Sequence, residues 1–461
     1  MVSHQLVYVT GMLEVILGPF RPLGRLKTGG GAFRGLGRRQ GRRPSLSGTK
    51  LSSLPRKEPS RTPAKSGRVP EKLPCLGKGR QGRQPSLAGY QENFAGGRSH
   101  PADWPLGLLL PPSFTNPSMK VSVILLNWNG RKLLEKFLPS VVAHTPSDVA
   151  EVVVADNGST DDSVAMLREH FPSVRLILLD RNYGFAEGYN RAIEQTTAEY
   201  TVLLNTDVEV TPGWLTAPLE ELDADASVAA AQPKLLSRRD RSFFEYAGAA
   251  GGWIDRYGYP FCRGRVLSVV EEDRGQYDTP ADILWASGAC LFIRTDLYRR
   301  VGGLDARFFA HQEEIDLCWR LRSRGYRLRC TPQSVVFHVG GGTLHTESPY
   351  KTFLNFRNNL LMIYKNLPDR ELPRVMRLRR MLDYFAALHF LLTGHAKNAL
   401  AVVRARREFR RLRPEYTPVR AENLRLSTLD PIPEQMNRSL LSSFYLKKKK
   451  TFDQLMQEAH G

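Results

Sequence analysis

From Lys120 onward the sequence alternates two textures with little between them. "VSVILL" is a continuous β-branched and apolar run, followed by a helical stretch, "RKLLEKFLPSVVAHT", and then by "AEVVVAD". "DDSVAMLREHF", "VRLILLD", "GFAEGYNRAIEQT" and "YTVLLNTD" continue the pattern. An apolar run with no polar alternation suits a strand covered on both faces. Strands that alternate with helices of this length predict an α/β fold with a mostly parallel, twisted sheet flanked by helices. Ligands on such sheets gather beyond the carboxyl ends of the strands, so the residues at those ends carry the functional question.

Those ends are polar. The first strand runs into Leu126-Asn127-Trp128-Asn129-Gly130 and the second into "ADNGSTDD", which delivers Asp156 to a turn. The third leads to "DRNYGFAEGYN", where Gly184 and Gly188 allow close backbone approach and the N-terminus of the following helix is expected to face an anion. The fourth ends in Asn205-Thr206-Asp207. Each alone has a structural reading as an Asx turn or a helix cap. Four consecutive ends, two of them presenting Asp, favour a binding site. There is no Walker A loop, and no G-x-G-x-x-G follows the first strand, which excludes ATPase and dinucleotide readings.

These stretches, together with "WASGACLFIRTDLYRRVGGLDARFFAHQEEIDLCWRLRSRGY" and "VVFHVGGGTL", resemble in order the motifs of family 2 inverting glycosyltransferases. The similarity is strongest to rhamnosyltransferase-like members of bacterial surface-polysaccharide pathways, and it extends from about Met119 to Pro368. It implies a GT-A fold and a metal-dependent transfer from a dTDP-rhamnose or UDP-sugar type of donor to a lipid-linked or growing glycan. Leu126, Asn127, Asn129, Asp156, Asn182, Gly184, Asn190, Asn205, Thr206 and Asp207 would then bind the nucleotide sugar. Asp156 matches the acid that meets the pyrimidine. Asp207 and His338 match the ligands of Mg2+ or Mn2+, with Asn205 replacing the first acid of the family's D-x-D-type motif. The rival within the fold is a catalytically idle nucleotide-sugar-binding or assembly protein.

"FFAHQEEIDLCWR" sets three carboxylates within four residues. A helix that begins near Gln312 places Glu314, Leu317, Cys318 and Leu321 on one inward stripe. Asp316 stands four residues before Arg320, a spacing for an ion pair. Glu313 falls in the first turn, where a solvated negative charge suits the helix dipole. The resemblance makes Glu314 the general base, where Asp is more usual, with Asp316 beside it in the catalytic group. It sets Glu313, Trp285, Gly288 and Ala289 toward the acceptor; Trp285 reads equally well as a core tryptophan.

The net charge of +20 is uneven. Residues 1–118 hold 19 Lys and Arg against 5 Asp and Glu, in Gly-, Pro- and Arg-rich text that is expected to be disordered. The abrupt change there makes Met119 a candidate for the true start. The rest is mildly basic and contains no nucleic-acid-binding module, so no nucleic-acid partner is expected. Five scattered cysteines without C-x-x-C point to a reducing compartment. A glycosyltransferase domain over 119–366 is expected, then a basic, amphipathic helical region over 367–461. That last region suits either an anionic membrane surface or a packing subdomain. The expected location is cytoplasmic, peripheral on the inner face of a bacterial plasma membrane.

Overall fold

The computed structural model describes residues 119–340 and 348–457, which lie within one compact unit. The expectations for residues 1–118 fall outside the described residues. Strands β1 (Val121–Asn127), β2 (Ala150–Asn157), β3 (Arg175–Leu179) and β4 (Tyr200–Leu204) pair in parallel, in the spatial order β3-β2-β1-β4. Helices α1 (Arg131–His144), α2 (Ser163–His170) and α3 (Gly184–Ile193) make the crossovers. Val121, Val123, Leu125, Val154 and Val202 bury against one layer, whereas Ile124, Val153, Ala155 and Leu203 bury against the other. Both faces are covered, which is why these strands read as runs instead of alternating.

Beyond β4 the sheet becomes mixed. β5 (Val208–Val210), α4 (Thr216–Ala224) and β6 (Val228–Ser237) follow in the chain. A smaller sheet then forms from β7 (Gly252–Asp255), β8 (Pro260–Cys262), β9 (Arg265–Val266) and β10 (Val269–Val270). β11 (Ala281–Asp282), β12 (Cys290–Arg294) and β13 (Arg327–His338) return to the main sheet. β12 lies antiparallel between β4 and β6, and β13 runs parallel to β6 but antiparallel to β5 and β11. Parallelism therefore holds for the half with short helical crossovers, and the longer, irregular connections past β4 allow either direction.

α5 (Thr295–Arg300) and α6 (Glu313–Ser323) separate β12 from β13. Next come α7 (Pro349–Asn366), α8 (Leu372–Leu392), α9 (Ala396–Arg425), β14 (Gln435–Met436), α10 (Leu440–Tyr445) and α11 (Phe452–Gln457). The region after 366 is joined to the sheet domain. β14 extends the small sheet beside β7, Arg322 holds buried Glu434 through two hydrogen bonds (2.8 and 3.0 Å), and Tyr416 donates to Asp305. The four described cysteines are buried and unbridged, and no helix among the described residues is long and apolar enough to cross a membrane.

Candidate active site

Strand order reverses at β1, whose neighbours are β2 and β4, so the ends beyond Asn127 and Leu204 are where such a sheet collects its ligand. In the β1–β2 register Asn127 lies opposite Asp156, and its amide donates to the Asp156 carboxylate (2.9 Å). The other Asp156 oxygen accepts the Ser159 amide (2.9 Å), while Asn127 Oδ1 is buried and accepts no hydrogen bond. Asn129 takes a left-handed backbone (φ 50°), and its side-chain Oδ1 accepts the amides of Thr160 and Asp161. Gly188 leaves room for Leu126: a β-carbon there would come within 2.8 Å of Leu126 Cδ2.

The α3 terminus corrects the expectation of an anion site. Asn182 Oδ1 accepts the Gly184 amide (2.8 Å), and the carbonyl of Phe309 accepts those of Phe185 and Ala186 (2.6 and 3.2 Å). The donors that would face an anion are thus occupied by Asn182 and by the loop before α6. Asn190 is likewise engaged in packing. It donates to the Leu304 carbonyl (2.9 Å) and accepts from Tyr298 (2.6 Å) and the Leu304 amide (3.0 Å).

The fourth strand end meets β13. The antiparallel register sets Val208 opposite His338, which brings the preceding Asp207 alongside: Nε2 of His338 lies 3.1 Å from Asp207 Oδ1. Asn205 is 3.5 Å from the same nitrogen. On the far side of the ring, Nδ1 is 3.2 Å from Oε1 of buried Glu245, an acid that no motif had singled out. Its only sequence signal is a lone charge in the apolar text "FFEYAGAAGG". Burial alone would lower the His338 pKa, but the charges of Asp207 and Glu245 outweigh it and raise the value to about 10. Asp207 Oδ2 is buried without a hydrogen-bond partner. This unsatisfied carboxylate oxygen lies beside an imidazole flanked by a second carboxylate, and once the ring has shed its proton the pair is a donor set that suits a divalent cation. Among the described residues no three such side chains enclose a cation by themselves, so two protein ligands would leave the remaining positions to water and ligand oxygens.

Helix α6 differs from its expected form. It is buried on every side, so all three acids face the interior: Glu313 is 4%, Glu314 7% and Asp316 0% exposed. Burial on an inward stripe therefore does not separate them, and Glu313 is not a solvated first-turn charge. Their partners do separate them. Asp316 accepts from Arg320 (3.0 Å), Lys365 (2.7 Å) and Asn366 (2.9 Å). Burial would raise its pKa, but Lys365 and Arg320 hold it below the usual carboxylate range. Asp316 is thus charge-compensated and fixed in place. Glu313 and Glu314 each retain a buried oxygen with no hydrogen-bond partner. Burial raises both, and the charge of Glu314 pushes Glu313 further up.

A strained loop presents these acids. Phe309, His311 and Gln312 all have positive φ (64°, 75° and 74°). The side-chain amide of Asn358 on α7 secures it, donating to the carbonyls of Phe308, Ala310 and His311 at 2.8–2.9 Å. Gly288 lies under Glu314, with a β-carbon there 3.7 Å from Glu314 Cβ, and Ala289 accepts the Asn205 amide (3.0 Å). The Ser287-Gly288-Ala289 segment thereby connects the β4 end to the acid pair. Trp285 does not border this space. It is fully buried, its indole donates to the Trp253 carbonyl (2.9 Å), and it packs on Gly252, so it belongs to the core.

Residues 122–300 match the sequence pattern of glycosyl transferase family 2. The chain carries a family 2 domain, and the protein is a glycosyltransferase. It is 28% identical over 232 residues, 47% of this chain and 75% of the relative, to an N-acetylglucosaminyl-diphospho-decaprenol L-rhamnosyltransferase of Mycobacterium tuberculosis. An O-antigen biosynthesis protein of Myxococcus xanthus is 29% identical over 48% of this chain and 17% of its own length. Among solved structures, a mannosyltransferase of Pyrobaculum calidifontis in complex with GDP-mannose and Mn2+ superposes with a TM-score of 0.40 at 18% identity. That superposition covers 67% of this chain and 84% of the mannosyltransferase.

Proposed function

We propose that the protein transfers a hexose of rhamnose type, with inversion, from a nucleoside-diphosphate sugar to a hydroxyl of a lipid-linked surface glycan. One observation carries this reading. A buried acid with an unsatisfied oxygen and a raised pKa, Glu314, is tied through Gly288-Ala289 to the end of β4, where Asp207 meets His338 of β13. Relatives named for rhamnosyl transfer to N-acetylglucosaminyl-diphospho-decaprenol and for O-antigen biosynthesis support the choice of sugar and acceptor class.

In this reading Asp156 and Asn127 meet the base at the tips of β1 and β2. Asp207 and His338 would hold Mg2+ or Mn2+, with Glu245 orienting the imidazole. The cation supplies neutralising charge to the departing diphosphate. Glu314 takes the proton of the acceptor hydroxyl as its oxygen bonds to the anomeric carbon and the bond to the diphosphate breaks on the opposite face. A raised pKa suits that task, because a stronger base near neutral pH accepts the proton more readily. Asp316 acts through Lys365 and Arg320, fixing the helix on which the base rides. A lipid-linked acceptor would bring the enzyme to the inner face of the plasma membrane.

Glu314→Gln should lower turnover by about 10²–10⁴-fold with donor binding within a few-fold of the parent, and Glu314→Asp should retain part of the activity. Asp207→Ala should abolish Mn2+-dependent binding of the nucleoside diphosphate, read by calorimetry, without loss of folding. Full activity in Glu314→Gln, or an unchanged Mn2+ titration in Asp207→Ala, would refute the corresponding role.

A further inference from the structure

α8 and α9 form a hairpin that turns at Thr393-Gly394-His395. Its inner side is packed: Val375, Ala386, Phe390, Ala399 and Val402 are buried in the core. Its outer side is also apolar, which a solvated helix would not be. On α8, Met381, Phe385, Leu388 and Leu392 recur at helical spacing and are 44–77% exposed. Leu400 on the facing end of α9 is 51% exposed.

Charge around this stripe has one sign. Between residues 372 and 407 the exposed ionic side chains are Arg374, Arg377, Arg380, Lys397, Arg404 and Arg407. The one acid in that range, Asp383, is buried against Arg406. Most of these bases are also segregated along the helices. Arg380 precedes Leu392 by about 18 Å at 1.5 Å per residue, and Arg404 and Arg407 follow Leu400 by one to two turns. The hairpin thus has an apolar end and an arginine collar set back from it. That length is too short to cross a bilayer core of about 30 Å, but it suits the boundary between headgroups and acyl chains.

We infer that the α8–α9 hairpin end is a docking surface for an anionic lipid bilayer: Leu388, Leu392 and Leu400 enter the acyl boundary, and the arginine collar, with Met381 beside it, stays at the headgroup phosphates. Apolar burial and attraction of basic residues to anionic lipid reinforce one another on such a surface. The inference deepens the reading of a lipid-linked acceptor, which would lie at that surface, yet its test requires no sugar transfer. Co-sedimentation of the full chain with vesicles of phosphatidylglycerol and phosphatidylcholine is compared with that on phosphatidylcholine alone. The parent should bind the anionic vesicles and bind the neutral ones weakly. Leu388→Asp with Leu392→Asp should reduce binding about tenfold or more while leaving the melting temperature and nucleoside-diphosphate binding unchanged. Arg377→Gln with Arg404→Gln should narrow the preference for the anionic lipid. Two results would overturn the inference: undiminished vesicle binding by the double Asp variant, which would locate it elsewhere on the basic chain, or a concentration-dependent dimer that this variant dissolves.

Discussion

At the scale of single residues, the acid cluster shows function acting against stability. Two carboxyl groups at the head of α6 are buried with unsatisfied oxygens, whereas the third is enclosed by Lys365, Arg320 and Asn366. Glu313 binds its proton more tightly in the folded chain than at its ordinary pKa of 4.5. Its contribution is therefore complete below that pH and lost as pH rises toward the folded value. Glu313→Gln, which keeps the neutral form permanently, should raise the melting temperature at pH 7.5. The gain should shrink toward zero near pH 4, and a pH series of thermal melts checks it. The opposite slope would mean that Glu313 is ionised and paired in the folded protein.

Among elements, α7 decides the site without supplying any of the acids. Its Asn358 amide serves three carbonyls of the 308–311 loop, and Asn359 donates to Gly258 and Gln312. Its Lys365 and Asn366 hold Asp316. Asn358→Ala leaves those carbonyls without their donor, at a cost on the order of 1–3 kcal/mol. It should also release the positive-φ backbone that aims Glu314. The expected result is a fall in kcat that exceeds the change in donor KM, with the kcat loss persisting at temperatures where circular dichroism shows full folding. A loss of stability with unchanged kcat would confine Asn358 to packing. None of this was legible from "FRNNLLMIYKN", because an amide's partners 50 residues away leave no local pattern. α9 shows the same limit. It continues through Pro414 and Pro418, which local rules make helix breakers, because Tyr416, Arg420 and Asn423 are anchored to Asp305, Tyr364 and Asn366.

For the whole molecule, the C-terminal helices, the small sheet and the main sheet share one core. The chain begun at Met119 should therefore melt in a single calorimetric transition and retain nucleoside-diphosphate binding. Two resolved transitions, or binding lost with residues 1–118 alone, would contradict that architecture.

The strand–helix alternation from Val121 to Leu204, its two covered faces and the polar strand ends were readable because each depends on a short run of neighbouring residues. The same holds for Asp156, Asp207 and the acid cluster, whose residue types are visible whatever their surroundings. Tertiary structure alone decided what surrounds them. The β5–β13 register brings His338 to Asp207 across 131 residues, and Glu245 joins them from a segment with no motif. Burial of α6 on all sides turned a predicted surface glutamate into an interior one, and Gly252 claimed Trp285 for the core. Hydrophobic periodicity records which residues leave water, but it does not record which of them meet. The partners that separate Asp316 from Glu314 come from elements distant in sequence, so the fold had to bring them together first.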